Sequence, residues 1–305
     1  MEQGHRVIPV EPVKPGEPVD PMLVVLAAGM SSRMKQAAAG DGVDGELLRD
    51  AREKAKAMIR VGPGGTPFLD FCLSNFAAAG YREIVIVTGQ RDTSITNYYE
   101  KEGHAREWGS LSLSYVVQRI PAGREKPLGT ADALLGVLAA RPAWRGRKFT
   151  VCNSDNLYSV DALKLLLGDP HRNALIDYDR DALGFPPERT SQFAVITLDG
   201  SGFVKDIVEK PAPGDIAAAT GADGRVRVSM NIFRLSYDDI LPRLEAVPLH
   251  PLRNEKELPV AVRMLASGVP GSVYAIPLTE RVPDLTQVGD IPEVLNYLKT
   301  MNNRP

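Results

Sequence analysis

The chain has 305 residues, 44% of them hydrophobic and 24% charged, with a formal net charge of −2. That length allows one large α/β domain or two small ones, and the composition is that of an ordinary soluble globule. The near-neutral balance gives no electrostatic case for a nucleic-acid or membrane partner. Cys72 and Cys152 are the only cysteines, and both read as reduced core residues. His5, His104, His171 and His250 show no metal-ligand spacing, so each is expected to be a surface or capping residue. No leader and no transmembrane run is visible, which makes a cytoplasmic location the expectation.

Residues 1–21 carry Pro9, Pro12, Pro15, Pro18 and Pro21, a spacing hostile to helix that predicts an extended arm. Residues 22–34 read MLVVLAAGMSSRM. The apolar run at 22–26 predicts a buried strand. The small residues Ala27, Ala28, Gly29, Ser31 and Ser32 then allow close approach of a ligand, with N–H groups free to cradle phosphate and Arg33 to meet its oxygens. An ordinary strand-to-helix turn has the same composition. The single glycine excludes a G-x-G-x-x-G dinucleotide loop, and the lack of G-K-[ST] excludes a Walker A loop.

Residues 37–45 are small and flexible, and residues 46–56 are charged and able to form helix. Lys56 is followed by a short apolar stretch read as a strand, a Gly-Pro-Gly-Gly turn, and a helix opened by Thr66 and Pro67 with Phe68, Leu69, Phe71, Cys72 and Phe76 on its apolar face. The helix ends near Gly80, and residues 83–88 form a strand, giving a right-handed crossover unit of a parallel sheet. A helix over 95–101 and a strand over 111–118 follow. Gln118 closes that strand, and Lys126-Pro127-Leu128-Gly129-Thr130-Ala131 opens a helix, with Gly129 letting a flat base lie on backbone and Thr130 placed to cap. A strand at 148–152 runs into Asn153-Ser154-Asp155-Asn156, which puts an acidic group at the carboxyl end of a parallel strand. Residues 191–199 and 203–209 predict an antiparallel hairpin ending in Val208-Glu209-Lys210-Pro211. Residues 226–235 predict one strand, with Asn231 as the polar residue of interest. A helix at 257–267, a strand at 273–277, an acidic segment with Asp284 and Asp290, and a helix at 291–299 complete the chain. There is no internal repeat.

Taken in order, these motifs resemble those of the sugar-1-phosphate nucleotidyltransferases. Residues 26–33 resemble L-A-A-G-x-G-[ST]-R, with Ser31 in place of the second glycine. This A-A-G-x-S-S-R-M form also resembles cytidylyl- and molybdopterin-type nucleotidyltransferases. Lys56 resembles the lysine of P-K-x-[LM]-[LI]-x-[VI]-G, with Lys35 and Lys54 as alternatives; residues 126–131 resemble P-L-G-T-A; Asp155 resembles the metal aspartate; Val208 to Pro211 resemble [VE]-E-K-P. Phe193-Ala194 stands where relatives often have Y-G, and residues 281–290 resemble W-x-D-[IV]-G-T. The resemblance implies a Rossmann-like, doubly wound α/β fold of nucleotidyltransferase (GT-A-like) type, its mixed sheet predominantly parallel, with an antiparallel sugar-binding lobe. The nucleotide half would span 22–160 and the sugar-phosphate half 161–305. Segment 35–55 would be an insertion near the site mouth, either a mobile flap or a surface excursion without a role.

The resemblance further implies a Mg²⁺-dependent transfer in which a sugar 1-phosphate oxygen attacks the α-phosphate of a nucleoside triphosphate and pyrophosphate leaves. Arg33, Lys56 and Asp155 would be catalytic. Leu26, Ala27, Ala28, Gly29, Met30, Ser31, Gln118, Gly129 and Thr130 would bind nucleotide, and Asn156, Ala194, Glu209, Lys210 and Asn231 the sugar phosphate. Asp155 and Asp284 would hold the metal, with Asp290 as rival to Asp284. A Gln118 amide offers one acceptor and two donors, which suits the imide edge of uracil or thymine, so UTP or dTTP is the expected donor. The partners are then the triphosphate and the sugar 1-phosphate, with a homo-oligomer left open. Two rival readings are a non-sugar acceptor such as an alditol phosphate, phosphocholine or molybdopterin, and a catalytically silent nucleotide-sugar-binding subunit.

Overall fold

The computed structural model describes residues 20–30, 34, 43–221 and 223–302. The proline arm up to residue 19, the loop residues Ser31 and Arg33, and Lys35 lie outside the described residues. The first half contributes four strands, β1 (Met22–Ala27), β2 (Glu83–Gly89), β3 (Ser112–Gln118) and β4 (Lys148–Asn153). The second contributes β5 (Asn173–Asp179), β6 (Ala194–Leu198), β7 (Val204–Val208), β8 (Arg227–Ser229), β9 (Ile232–Ser236) and β10 (Val273–Leu278). All ten join one sheet in the order β3-β2-β1-β4-β9-β5-β8-β6-β7, with β10 paired to β5.

β1 is central because its apolar run is buried on both faces, the condition under which a parallel strand forms. It pairs in parallel with β2, Met22 opposite Glu83, and with β4, Leu23 opposite Thr150. Its side chains alternate between two cores. Leu23, Val25 and Ala27 face the core that holds Phe68, Cys72 and Phe76 of α2 (Phe68–Ala79), after α1 (Gly45–Glu53). Met22, Val24 and Leu26 face the core with Ala131, Leu134 and Leu138 of α3 (Thr130–Ala140). Helices thus cover both faces, the doubly wound α/β arrangement, and α2 stops at Gly80 in a left-handed conformation, φ 107°.

At β4 the sheet changes character: β9 runs antiparallel to β4, and β5, β8, β6 and β7 continue antiparallel. The single strand expected over 226–235 is two. Asn231 adopts φ 58°, which an Asn tolerates better than most residues, and there the chain leaves β8, paired with β5 and β6, for β9, paired with β4 and β5. Three smaller differences are local. The stretch after Lys56 is a 3₁₀ turn, Lys56–Met58, in place of a strand. The helix at 95–101 is one turn, Ser94–Thr96, running into a π turn, Asn97–Lys101. β6 starts late because Pro187–Thr190 forms a short helix ahead of it. The remaining helices of nine or more residues among the described residues are α4 (Val160–Gly168), α5 (Tyr237–Ala246), α6 (Leu258–Gly268) and α7 (Ile291–Asn302).

Part of the segment read as an insertion is anchored. Asp44 caps α1 by accepting from the Glu46 N–H, and the buried Asp50 carboxylate takes Arg60 Nε at 2.6 Å and Lys54 Nζ at 2.9 Å. Among the described residues no helix is long and apolar enough to cross a membrane.

Candidate active site

Three parallel strands deliver the site at their carboxyl ends, where α/β sheets bind ligands. Ala27, Ala28, Gly29 and Met30 follow β1, Gln118 ends β3, and Asn153, Ser154 and Asp155 end β4. With Leu26, Lys56, Gly129, Thr130, Glu209 and Asn231 they line a cavity of about 400 Å³. A second cavity of about 220 Å³ shares Asp155, Glu209 and Asn231 with it and is lined as well by Asn156, Ala194 and Asp284. A third, about 560 Å³, lies against the other side of the first loop, beside Lys54 and Arg91. The residues drawn from five separate motifs therefore line cavities that share walls, apart from Ser31 and Arg33, which are not described, and Lys210.

Lys56 Nζ lies 3.0 Å from Asp155 Oδ2, and the two side chains are only 17% and 21% exposed. Of Lys54 and Lys56, Lys56 is the one that lines the 400 Å³ cavity. Lys54, the described alternative, pairs with Asp50 instead. Asp284 is carried to Asp155 by backbone: residues 156 and 284 form an antiparallel bridge, Leu285 N–H donates to Asp155 O at 2.7 Å and Leu157 N–H to Pro283 O at 2.9 Å. Burial first, and the Asp155 carboxylate second, push Asp284 up to about 6, against Thr286 and Arg189. Its Oδ1 is buried and has no hydrogen-bond partner, as have Asn156 Nδ2 and Asn231 Oδ1 nearby.

Asp290 does a different job. It accepts from the N–H groups of Thr286 at 2.9 Å and Gln287 at 2.8 Å and from Arg189, so its oxygens hold the turn that carries Asp284. Arg189 was not found in the sequence. From the short helix ahead of β6 it reaches both carboxylates, with Nη2 3.1 Å from Asp284 Oδ2 and 3.2 Å from Asp290 Oδ2. Nothing in its local pattern distinguishes it from a surface arginine.

Gln118 is buried, and both hydrogens of its amide are used: Nε2 donates to Gly129 O at 2.8 Å and to Asp132 Oδ2 at 3.0 Å. The twofold pairing with an imide edge, which needs those donors, is not available in this arrangement; Oε1 is the atom left for a ligand. Gly129, at φ 106°, has a role beyond approach to a base, since a Cβ there would lie 2.5 Å from Lys256 O. Thr130 does not cap α3. Its hydroxyl accepts from the Leu258 N–H at 2.9 Å, tying α3 to α6.

Glu209 is raised by burial and then by Glu257, against Arg253 and Lys210. Lys210 is exposed, sits at φ 48° and is not among the residues lining the three cavities. The cation in that region of the 400 Å³ cavity is Arg253, again unseen in the sequence. It donates from Nη2 to Glu257 at 2.8 Å, while its Nε is buried without a partner.

Two hard carboxylates side by side, one with a buried unpartnered oxygen, suit a Mg²⁺ ion, which takes one or two carboxylates and fills its other positions with water and phosphate oxygens. Among the described residues no group of three His, Cys, Asp or Glu side chains could hold a metal.

Comparison with known proteins bears on the family and the fold. The family described as nucleotidyl transferase matches residues 47–233, more than half of the chain. The chain is 27% identical over 224 residues to a glucose-1-phosphate adenylyltransferase of Thiobacillus denitrificans, covering 71% of this chain and 46% of that protein. It is 27% identical over 180 residues to glucose-1-phosphate adenylyltransferase 1 of Vibrio vulnificus, covering 57% and 44%. The chain thus spans just under half the length of these curated relatives. In fold it is similar to a crystal structure of UDP-glucose pyrophosphorylase complexed with UDP-glucose, at TM-score 0.67 and 19% identity, over 92% of this chain and 98% of that one. With the family match covering more than half of its residues, the chain belongs to the nucleotidyl transferase family.

Proposed function

We propose that the protein joins a nucleoside triphosphate to a sugar 1-phosphate, releasing pyrophosphate. The observation that carries this is the Lys56–Asp155 pair opposite Asp284, set between a cavity that ends at Gln118 and Gly129 and one enclosed by Asn156, Ala194, Glu209 and Asn231. The first is placed for the nucleotide and the second for the sugar. No activated side-chain nucleophile is needed, because the acceptor phosphate is already anionic. The difficulty is repulsion: two unit charges ~4 Å apart at an effective dielectric of ~20 oppose each other by roughly 4 kcal/mol. Lys56 and Arg253 supply positive charge on this path, and Arg33 of the first loop is a third candidate. Asp155 and Asp284 would hold Mg²⁺, which when bound supplies charge neutralisation at the phosphates. Arg253, with an unsatisfied Nε, is placed to meet the acceptor's phosphate. Lys210 would have to swing inward to do the same.

For the donor we propose UTP or dTTP, read by N3–H donating to Gln118 Oε1. A second reading is ATP, whose exocyclic amine could donate to the same oxygen; the names of the adenylyltransferase relatives favour it. Replacing Gln118 by Glu would not separate these, since the new carboxylate would face Asp132 whatever the base. The experiment is pyrophosphate release with four triphosphates, N3-methyl-UTP and a panel of sugar 1-phosphates. UTP or dTTP should lead, and N3-methyl-UTP should fall by at least about tenfold, the value of one hydrogen bond. A preference for ATP would overturn the base assignment alone. No pyrophosphate from any pair would overturn the activity, and turnover only with non-sugar phosphates would move the acceptor class.

A further inference from the structure

The segment between α5 and α6 lines the 400 Å³ cavity with Arg253, Glu255 and Glu257. It has little core to hold it: Leu249 is 43% exposed and Leu252 91%. Four of its hydrogen bonds converge on one residue. His250 Nδ1 accepts from the N–H of Leu252 and of Arg253, each at 3.2 Å. The His250 carbonyl accepts from Asn254 N–H and the His250 N–H donates to Glu255 O, both at 2.8 Å. Asn254, at φ 56°, turns the chain back, and Arg124 Nη2 ties its carbonyl to the neighbouring loop at 2.6 Å.

A side-chain acceptor at one position taking the N–H groups two and three residues later is the geometry in which Asn, Asp, Ser or Thr normally starts a turn or caps a helix. Here an imidazole does it, which requires the tautomer with its proton on Nε2. One of the two amides it holds is that of Arg253. We infer that His250 is a positioning residue for the acceptor substrate: its Nδ1 fixes the Arg253 backbone so that the guanidinium, braced by Glu257, faces the phosphate of the sugar 1-phosphate. This rests on the proposed role of Arg253. Without the imidazole, nothing else in the described loop receives those two N–H groups, and the tip is left to solvent, where loop order is lost first.

The test compares wild type with His250→Ala, His250→Asn and Arg253→Ala. Asparagine places Oδ1 close to the position of Nδ1 and cannot titrate. Two readouts are taken: steady-state constants with glucose 1-phosphate as acceptor probe, and amide hydrogen exchange over residues 248–256. His250→Ala should raise KM for glucose 1-phosphate about tenfold, leave KM for the triphosphate within about twofold, and speed exchange at Leu252 and Arg253. His250→Asn should restore both readouts. An unchanged KM and exchange rate in His250→Ala, an equal rise in both KM values, or an Asn variant as impaired as the Ala variant would overturn the inference. If Arg253→Ala leaves the acceptor KM unchanged, it is the reading of Arg253 that fails and the inference falls with it. If Arg253→Ala raises that KM and His250→Ala does not, only His250 loses its role.

Discussion

Lys56→Met removes one positive charge while keeping most of the side chain's volume. In the wild type the ammonium sits 3.0 Å from Asp155, with both groups about four-fifths shielded from solvent. At an effective dielectric of ~20, unit charges at that separation attract by roughly 5 kcal/mol, an upper bound because each also sheds hydration. The variant leaves Asp155 unneutralised as two further anions approach. Losing a preorganised cation aimed at developing charge lowers turnover by about 10²–10³-fold, or ~3–4 kcal/mol. We expect kcat for pyrophosphate release to fall by that factor with the melting temperature within a few degrees of wild type. Lys54→Met is the control: Lys54 is twice as exposed as Lys56 and pairs with Asp50 on α1, and its loss should change kcat by less than about threefold. A Lys56→Met enzyme within fivefold of wild type, or a Lys54→Met enzyme more impaired than it, would refute the placement of the catalytic lysine.

Other substitutions separate the remaining parts. Asp155→Asn and Asp284→Asn should each abolish turnover with folding retained, whereas Asp290→Asn should first lower the melting temperature, because it breaks the Arg189, Thr286 and Gln287 hydrogen bonds; equal loss of stability in Asp284→Asn and Asp290→Asn would reverse that division. Gly129→Ala combines a left-handed φ with a Cβ 2.5 Å from Lys256 O, so it should destabilise by about 2 kcal/mol or more and reduce kcat/KM, read by urea melts and kinetics; a neutral variant would show that this turn has room. Asp177, on β5, is pushed up to about 6 by burial in spite of Arg227. The folded state therefore keeps this proton to higher pH than the unfolded chain, and its contribution to stability falls as pH rises from ~4 to about 6, by on the order of 2–3 kcal/mol, then stays level. Asp177→Asn should gain on wild type across that window in urea melts at pH 4.5 and 7, and a constant difference would disprove the shift.

Residue pattern revealed more of the frame than of the charges inside it. A strand buried on both faces must be apolar throughout, so β1 and its loop stood out, and the later motifs fell in order around it. Lys56, Asp155 and Glu209 were legible because each follows an element whose end the sequence marks. Arg189 and Arg253 were not, since a surface arginine and a site arginine have the same neighbours in sequence and differ only in what lies across space. The same gap explains Gln118, whose donors are claimed by Gly129 O and by Asp132 in the first turn of α3. It also explains why Asp284 and Asp290 could not be told apart until the bridge to Asn156 fixed one of them. Asn231 was visible as a polar interruption, but not as the point where the chain changes strand partners.

The bridge between Asn156 and Asp284 also governs when the site comes into being. A ribosome delivers the first loop, Lys56 and Asp155 well before Asp284. At ~5–20 residues per second the interval is on the order of ten seconds. During that time the early strands can pair with one another, but the second carboxylate does not yet exist in the nascent chain. Completion waits on one of the longest-range backbone pairings in the sheet, of the kind that forms late because loop closure must come first. The cavity wall that carries Asp284 is therefore late to form.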